Sequence, residues 1–222
     1  MTVGYENLRG QSLDDRVRLG VPNQGRLAED ARRALGWEEW SAGTRLLRFD
    51  RAHATVYLAR STDLPRLVAA GLLDGCLTGQ DYVTEAGAGD RLVTIADLGV
   101  QRSSICVVER DDENSVDLRK AQAILVSQYP ETARRWARQQ GPDRRVRVVA
   151  IDGAAEMYVS SGMADLGIDA VMTGETLRAN GMRVREKLFE SSGRVYAALD
   201  LVENPIRLQA FLDFVGCLGG GR

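Results

Sequence analysis

The residues best suited to chemistry lie close together, in the run Asp165-Leu166-Gly167-Ile168-Asp169-Ala170-Val171-Met172-Thr173-Gly174-Glu175-Thr176 and on to Asn180. Asp169 closes a short apolar stretch, and Thr173-Gly174-Glu175-Thr176 reads as a turn that opens a helix. Backbone N–H groups at such a turn, flanked by two hydroxyls, form a cradle for a phosphate monoester. A carboxylate at Asp169 accepts hydrogen bonds from ribose hydroxyls. Together these groups suit a phosphoribosyl moiety. A plainer reading fits the spacing equally well: Thr173 caps the helix and Glu175 sits in its first turn.

Other reactive residue types are scarce. Cys76, Cys106 and Cys217 are far apart and in no C-x-x-C spacing. Cys76 and Cys106 sit in apolar runs, where a free cysteine acts as a small hydrophobe. The one histidine, His53, has no ligand-like neighbours, so no protein-built metal centre is expected. Metal-dependent hydrolysis and covalent catalysis are poor fits.

The elements that must position these residues follow from pattern. Hydrophobic residues make up 44% and charged residues 27% of the 222, a globular mixture rather than a disordered one. No apolar stretch is long enough to span a membrane, and the polar N-terminus is no secretory signal. A net charge of -2 argues against a dedicated nucleic-acid binder. A cytoplasmic protein is expected. Short apolar runs alternate with amphipathic segments, an α/β signature. Strands are predicted at 17–21, 45–49, 54–59, 75–77, 105–109, 123–126, 146–151 and 195–199. Helices are predicted at 27–35, 63–70, 131–140, 154–160 and 205–215.

The chain also echoes itself. Gly71-Leu72-Leu73-Asp74-Gly75-Cys76-Leu77-Thr78-Gly79-Gln80-Asp81 is answered by Gly162-Met163-Ala164-Asp165-Leu166-Gly167-Ile168-Asp169 and then Thr173-Gly174-Glu175-Thr176. Each copy runs helix end, glycine, two apolar residues, Asp, short strand, then Thr-Gly. The echo predicts two similar α/β lobes with both turns at one ligand, lobe I from 1–104 and 185–222 and lobe II from 105–184.

The run from Ala164 to Gly181 closely resembles the phosphoribosyl-diphosphate signature of the ATP phosphoribosyltransferase family, the first enzyme of histidine biosynthesis. Further blocks resemble the family in the correct order: Val21-Pro22-Asn23-Gln24-Gly25-Arg26-Leu27, Arg60-Ser61-Thr62-Asp63-Leu64-Pro65, Asp74 through Asp81, Gly153 to Glu156, and Ser191-Ser192-Gly193-Arg194. The length is similar to that of the short form, which lacks a C-terminal regulatory domain.

The resemblance implies a two-lobed fold like that of type II periplasmic binding proteins, with the active site in the interlobe cleft. It implies that N1 of the adenine of ATP attacks C1 of phosphoribosyl diphosphate and releases pyrophosphate. Asp169 would hold the ribose and Thr173, Gly174, Glu175 and Thr176 the 5′-phosphate. Arg26 joins Asp169 as a catalytic candidate, with Gln24, Gly25, Arg60 and Asp81 as weaker candidates for ATP or pyrophosphate. A capping role for Asp81 and an ion pair from Arg60 to Asp63 explain those two residues equally well. Mg²⁺ would be carried mainly by the substrate phosphates. A homodimer joined by a subunit resembling histidyl-tRNA synthetase is implied as the assembly. Three features depart from the family: Gln24 stands where a Lys is usual, Arg102 lies two places from the usual arginine, and residues 1–16 are additional. They leave open a relative that uses another nitrogen heterocycle, or a two-lobed binding subunit without activity.

Overall fold

The computed structural model describes residues 16–35, 47–51, 54–112, 116–118, 122–141 and 145–216. Expectations for residues 1–15, the start of the strand at 45–49, His53, Cys217 and the glycine-rich end lie outside them. The described chain divides into two α/β units. Unit 1 falls within Met1–Thr78, Ala88–Val100 and Gly193–Arg222, and unit 2 within Gly79–Gly87 and Gln101–Ser192. These limits move 79–87, 101–104 and 185–192, all placed in lobe I by the sequence, into unit 2.

Unit 1 is built around β1 (Val17–Pro22), whose Val17, Leu19 and Val21 are at most 2% exposed. Each such burial is worth about 1.5–3 kcal/mol. β1 runs parallel to β3 (Ala54–Ala59), from Val17↔Ala54 to Pro22↔Ala59, and to β4 (Gly75–Gly79) at Leu19↔Gly75. Edge strand β2 (Arg48–Arg51) pairs antiparallel with β3. Helix α1 (Arg26–Leu35) presents Leu27, Ala28 and Ala31 to this core, and α2 (Leu64–Ala69) buries Leu64 and Val68. α7 (Leu199–Val202) and α8 (Pro205–Gly216) complete the unit, with Phe211 fully buried. Gly75 is required here: a Cβ would lie 2.5 Å from the Tyr196 carbonyl oxygen, which cannot swing aside.

Unit 2 orders its strands β5-β8-β6-β7. β6 (Ala123–Ser127) is parallel to β7 (Val146–Ala150) and β8 (Leu166–Val171), and β8 is antiparallel to β5 (Leu92–Arg110). α4 (Pro130–Gln139) packs Ala133 and Trp136 into the core, while α5 (Glu156–Ser160) and α6 (Glu175–Ala179) are short. α3 (Gln80–Glu85) belongs to this unit because Glu85 accepts the first-turn N–H groups of α4, from Glu131 at 2.7 Å and Thr132 at 2.9 Å. A carboxylate thus meets the open donors of a helix that has no side-chain cap of its own.

β5 has 19 residues and β9 (Met182–Ala198) has 17, and both run from one unit into the other. The predicted strands at 105–109 and 195–199 are only their apolar ends, and Leu199 begins α7 instead. The remainder of β9 is largely charged or polar and half-exposed, whereas β5 opens on the mostly apolar Leu92–Val100, whose Ile95, Ala96 and Leu98 pack against the core of unit 1.

The internal echo is physical. The Asp74 carboxylate accepts the Arg18 N–H at 2.7 Å, while its own N–H donates to the Arg18 carbonyl at 2.8 Å. Asp165 repeats this with Ile124, at 2.8 Å and 3.0 Å. Each aspartate therefore clamps the start of the central strand of its unit. The glycine three residues before each is left-handed, Gly71 at φ 72° and Gly162 at φ 79°. The two Thr-Gly turns, however, are out of step. Thr78 lies four residues after Asp74, but Thr173 lies eight after Asp165, so the counterpart of Thr78 is Asp169. Both hold the loop before the preceding helix: Thr78 Oγ1 donates to the Ser61 carbonyl at 3.0 Å, and Asp169 accepts the Ala155 N–H at 2.7 Å.

Candidate active site

Asp169 is 5% exposed, in β8 rather than at its end. One carboxylate oxygen accepts the Ala155 N–H and the other its neighbour Ala170 N–H, each at 2.7 Å, with Gln128 Nε2 at 3.5 Å. Burial pushes its carboxyl up, to about 6, against those backbone donors; the charge and hydrogen bonding of nearby Glu156 push the same way. Asp169 is therefore a fixed carboxylate that titrates not far below neutrality. Two short backbone bonds hold the carboxylate, and the longer Gln128 contact and Glu156 meet it as well.

Four residues on from Asp169, the turn 173–176 is open to solvent at Thr173, Glu175 and Thr176. Gly174 is the N-cap of α6, left-handed at φ 71°, a conformation that a Cβ disfavours. Thr173 is not the cap residue, and its Oγ1 accepts the Glu175 N–H only at a long 3.4 Å. Arg178 Nη2 donates to the Thr173 carbonyl at 3.3 Å and Asn180 Nδ2 to the Thr176 carbonyl at 2.8 Å, fixing the turn from behind. The helix-cap role is thus weakly filled, and two hydroxyls face water beside a shaped backbone.

Asp81 lies in the same unit as Asp169, and it is no cap. It is 7% exposed, accepts the Tyr129 hydroxyl at 2.7 Å and the Ser191 hydroxyl at 2.8 Å, and gives its N–H to Ser191 Oγ at 3.0 Å. Burial, reinforced by the Asp81 charge, raises the Tyr82 hydroxyl to about 12 and drives that of Tyr129 higher still. Tyr129 follows Gln128 and takes the Ser127 Oγ on its own N–H at 2.8 Å. Ser127 donates onward to the Ile168 carbonyl at 2.8 Å. One buried chain of hydrogen bonds therefore runs from α3 through the end of β6 to the residue before Asp169. Gln128, Tyr129, Ala155 and Glu156 escape sequence reasoning as site members because their part is played by backbone groups and long-range contacts. Ser191, Ala155 and Glu156 do lie within resembling blocks.

The other candidates belong to unit 1. Gln24, Gly25 and Arg26 are exposed just past the end of β1, with Gly25 left-handed at φ 84° and Arg26 opening α1. Arg60 is exposed, and its carbonyl accepts the N–H groups of Asp63 and Leu64 at 2.9 and 3.2 Å. Among the described residues it makes no ion pair with Asp63. The block at 191–194 is held at Gly193, where a Cβ would lie 2.7 Å from Leu27 Cδ1, and at Arg194, paired with Asp97 at 3.5 Å. Cys76 and Cys106 are buried free thiols whose pKa is raised by burial, as core filler requires. Among the described residues no helix is long and apolar enough to cross a membrane.

Comparison with known proteins identifies the family. A model of the family described as HisG, ATP phosphoribosyltransferase, matches residues 60–213. The ATP phosphoribosyltransferase of Methanopyrus kandleri is 32% identical over 208 residues, 91% of this chain and 72% of the relative. That of Gemmatimonas aurantiaca is 35% identical over 213 residues, with the same two coverages. Among solved structures, a chain of the ATP phosphoribosyl transferase (HisG:HisZ) complex from Thermotoga maritima matches with TM-score 0.77 and 18% identity, over 91% of this chain and 96% of that one. The periplasmic aliphatic sulphonate binding protein SsuA from Escherichia coli shares the fold at TM-score 0.52 and 15% identity, over 92% of this chain and 72% of that one. With the ordered blocks, the shaped turn at 173–176 and the fixed carboxylate at 169, this chain belongs to the ATP phosphoribosyltransferase family, the transferases of the first step of histidine biosynthesis.

Proposed function

We propose that unit 2 holds phosphoribosyl diphosphate through the turn Thr173-Gly174-Glu175-Thr176 and the carboxylate of Asp169, and that the acceptor is N1 of the adenine of ATP. The observation that carries this reading is the pairing of an under-used, exposed hydroxyl turn with a buried carboxylate on the strand that leads into it. In the reaction the C1–O bond to pyrophosphate breaks as the N1–C1 bond forms, and the ribosyl ring gains positive charge. An ionised Asp169, held by Ala155 and Ala170, accepts from the ribose hydroxyls and opposes that charge. Holding both reactants in line supplies much of the remaining rate. Arg26, with Gln24, Gly25 and the weaker candidates Arg60 and Asp81, is assigned to the phosphates of ATP or the leaving pyrophosphate. Gln24 donates a hydrogen bond but no charge.

Mg²⁺ suits this arrangement as a companion of the substrate. Among the described residues no three His, Cys, Asp or Glu side chains are grouped to hold a metal, whereas a diphosphate supplies oxygen ligands itself. When bound, Mg²⁺ neutralises charge on the departing pyrophosphate.

Pyrophosphate release from phosphoribosyl diphosphate, screened against ATP and other nitrogen heterocycles, tests the reading. Release with ATP is expected, and release with another heterocycle alone would shift the assignment to a divergent transferase. Thr176→Val keeps the side-chain shape and removes one charge-assisted hydrogen bond, so phosphoribosyl-diphosphate binding should weaken roughly ten- to a hundredfold. Unaltered affinity would sink the phosphate turn.

As an assembly we propose the short form: a cytoplasmic homodimer that works with a separate subunit resembling histidyl-tRNA synthetase. The Thermotoga maritima complex of HisG with HisZ, which contains a chain of this fold, supports that reading. The purified chain should then be weakly active, and adding such a subunit should raise its rate and confer inhibition by histidine. Full, histidine-inhibited activity from the chain alone would contradict it.

A further inference from the structure

Unit 1 contains a polar hollow at the opposite end of its strands from Gln24 and Thr78. It is a cavity of about 150 Å³ lined by Arg18, Arg91 and Arg207, by Asp74 and Asp200, and by apolar groups that include Leu199. Arg18 is the second residue of β1 and Asp74 immediately precedes β4, so the cavity sits at the amino ends of these parallel strands. The turn at Asn23–Gly25 lies five or more residues further along, roughly 17 Å at strand rise. The hollow is therefore separate from the candidate active site.

Its charge balance is uneven. Asp74 alone receives two guanidinium groups, with Arg18 Nη2 at 2.8 Å, Arg18 Nε at 3.2 Å and Arg207 Nη2 at 2.9 Å. Burial by itself would raise the Asp74 carboxyl, but these arginines bring it below the usual carboxylate value, so it stays ionised and fully engaged. Arg91 adds a third, exposed cation, against the exposed carboxylate of Asp200. Three cations thus line the cavity against two anions. The Arg207 Nε is also buried without a hydrogen-bond partner.

The fold does not demand this cluster. Asp165 performs the same clamp in unit 2, and among the described residues no arginine binds its carboxylate. The arginines of unit 1 are additions to a clamp that works without them. The walls are also set in advance. Arg18 Nη2 donates to the Gly71 carbonyl at 3.0 Å, the Ala198 N–H to the Asp74 carbonyl at 2.8 Å, and the Leu199 N–H to the Arg91 carbonyl at 2.9 Å. A rigid, cation-lined hollow binds a small anion with little ordering cost.

We propose that this cavity is an accessory binding site for a small oxyanion, a phosphate or a carboxylate, taken up between Arg91 and the Arg18–Arg207 pair. Guanidinium forks suit either group, and the volume admits a ligand of only a few heavy atoms.

The test is a titration of the full chain followed by the side-chain N–H resonances of its arginines. Inorganic phosphate and, separately, succinate serve as probes at ionic strength fixed with sodium chloride. Saturable shifts of the Arg91 and Arg207 signals with at least one probe are expected, and the probe that saturates identifies the class. Arg91→Gln removes the exposed cation without touching the Asp74 pair and should weaken that binding roughly three- to fivefold. Thr176→Val should leave the midpoint unchanged, which separates this site from the phosphate turn. The proposal is overturned by an absence of saturation with both probes, by shifts that chloride reproduces, or by a midpoint that follows Thr176→Val instead of Arg91→Gln.

Discussion

Asp169 carries two duties, and pH separates them. Its carboxyl is raised from 3.8 to about 6 by burial, with Glu156 adding to the effect. Between those values the folded protein keeps a proton that the unfolded chain has lost. Stability from this group therefore falls as pH rises through that window, and the loss is complete above about pH 6. Asp169→Asn removes the titration, so the variant should gain on the parent by on the order of 1–3 kcal/mol between about pH 4 and pH 7. Urea unfolding at the two pH values measures this. A constant difference between variant and parent would mean that Asp169 is not held in the way its burial implies. The same substitution leaves an amide N–H₂ against one backbone N–H, so the loop at Ala155 should loosen at every pH.

At the scale of elements, the paired aspartates of the echo invite a direct comparison. Asp74 and Asp165 make the same backbone clamp, but only Asp74 also faces two arginines. Asp165→Ala should cost about 1–3 kcal/mol, the value of one buried hydrogen bond left open. Asp74→Ala strands two guanidinium groups as well and should cost about 3–5 kcal/mol. Equal costs in thermal or urea unfolding would show that the arginines of unit 1 are indifferent to their carboxylate.

The echo also shows how far the sequence could be read. Gly71, Asp74, Gly162 and Asp165 are legible as a repeat because the same left-handed turn and the same clamp on a distant strand recur in each unit. The Thr-Gly register was misaligned by four residues, because matching letters cannot distinguish a strand that passes straight into α3 from one followed by the longer turn at 172–174. Most of β5 and β9 was missed for a different reason. In β9 charged and polar residues separate the apolar ends, and pattern alone reads those as loop, whereas in β5 the apolar residues Ile95, Ala96 and Leu98 do carry a strand signal. At the candidate residues 169 and 173–176, type and spacing alone leave a phosphate cradle and a helix cap evenly matched, and the resemblance to the family tips the balance. The support given by Gln128, Tyr129 and Ala155 arises only when distant segments meet.

At the scale of the whole molecule, the chain passes between its units at four places, and one of them holds an unfavourable backbone. β5 leaves unit 1 after Val100, where Gly99 and Gln101 both take left-handed conformations, at φ 67° and 50°. Among the described residues Gln101 is the one non-glycine residue with positive φ. A side chain there costs roughly 1–2 kcal/mol, and a β-branched one is the worst tolerated. Gln101 also makes interactions of its own, so replacing it by glycine would mix a gain in backbone freedom with a loss of contacts. Comparing Gln101→Asn with Gln101→Val avoids this confusion, since both truncate the side chain but asparagine accepts the left-handed region readily. The valine variant should be less stable than the asparagine variant by about 1 kcal/mol in urea unfolding. If the two unfold alike, residue 101 relaxes to an extended conformation at little cost, and its left-handed backbone is not a constraint on stability. A clear deficit for valine would mean that the left-handed backbone at residue 101 is held in the folded chain.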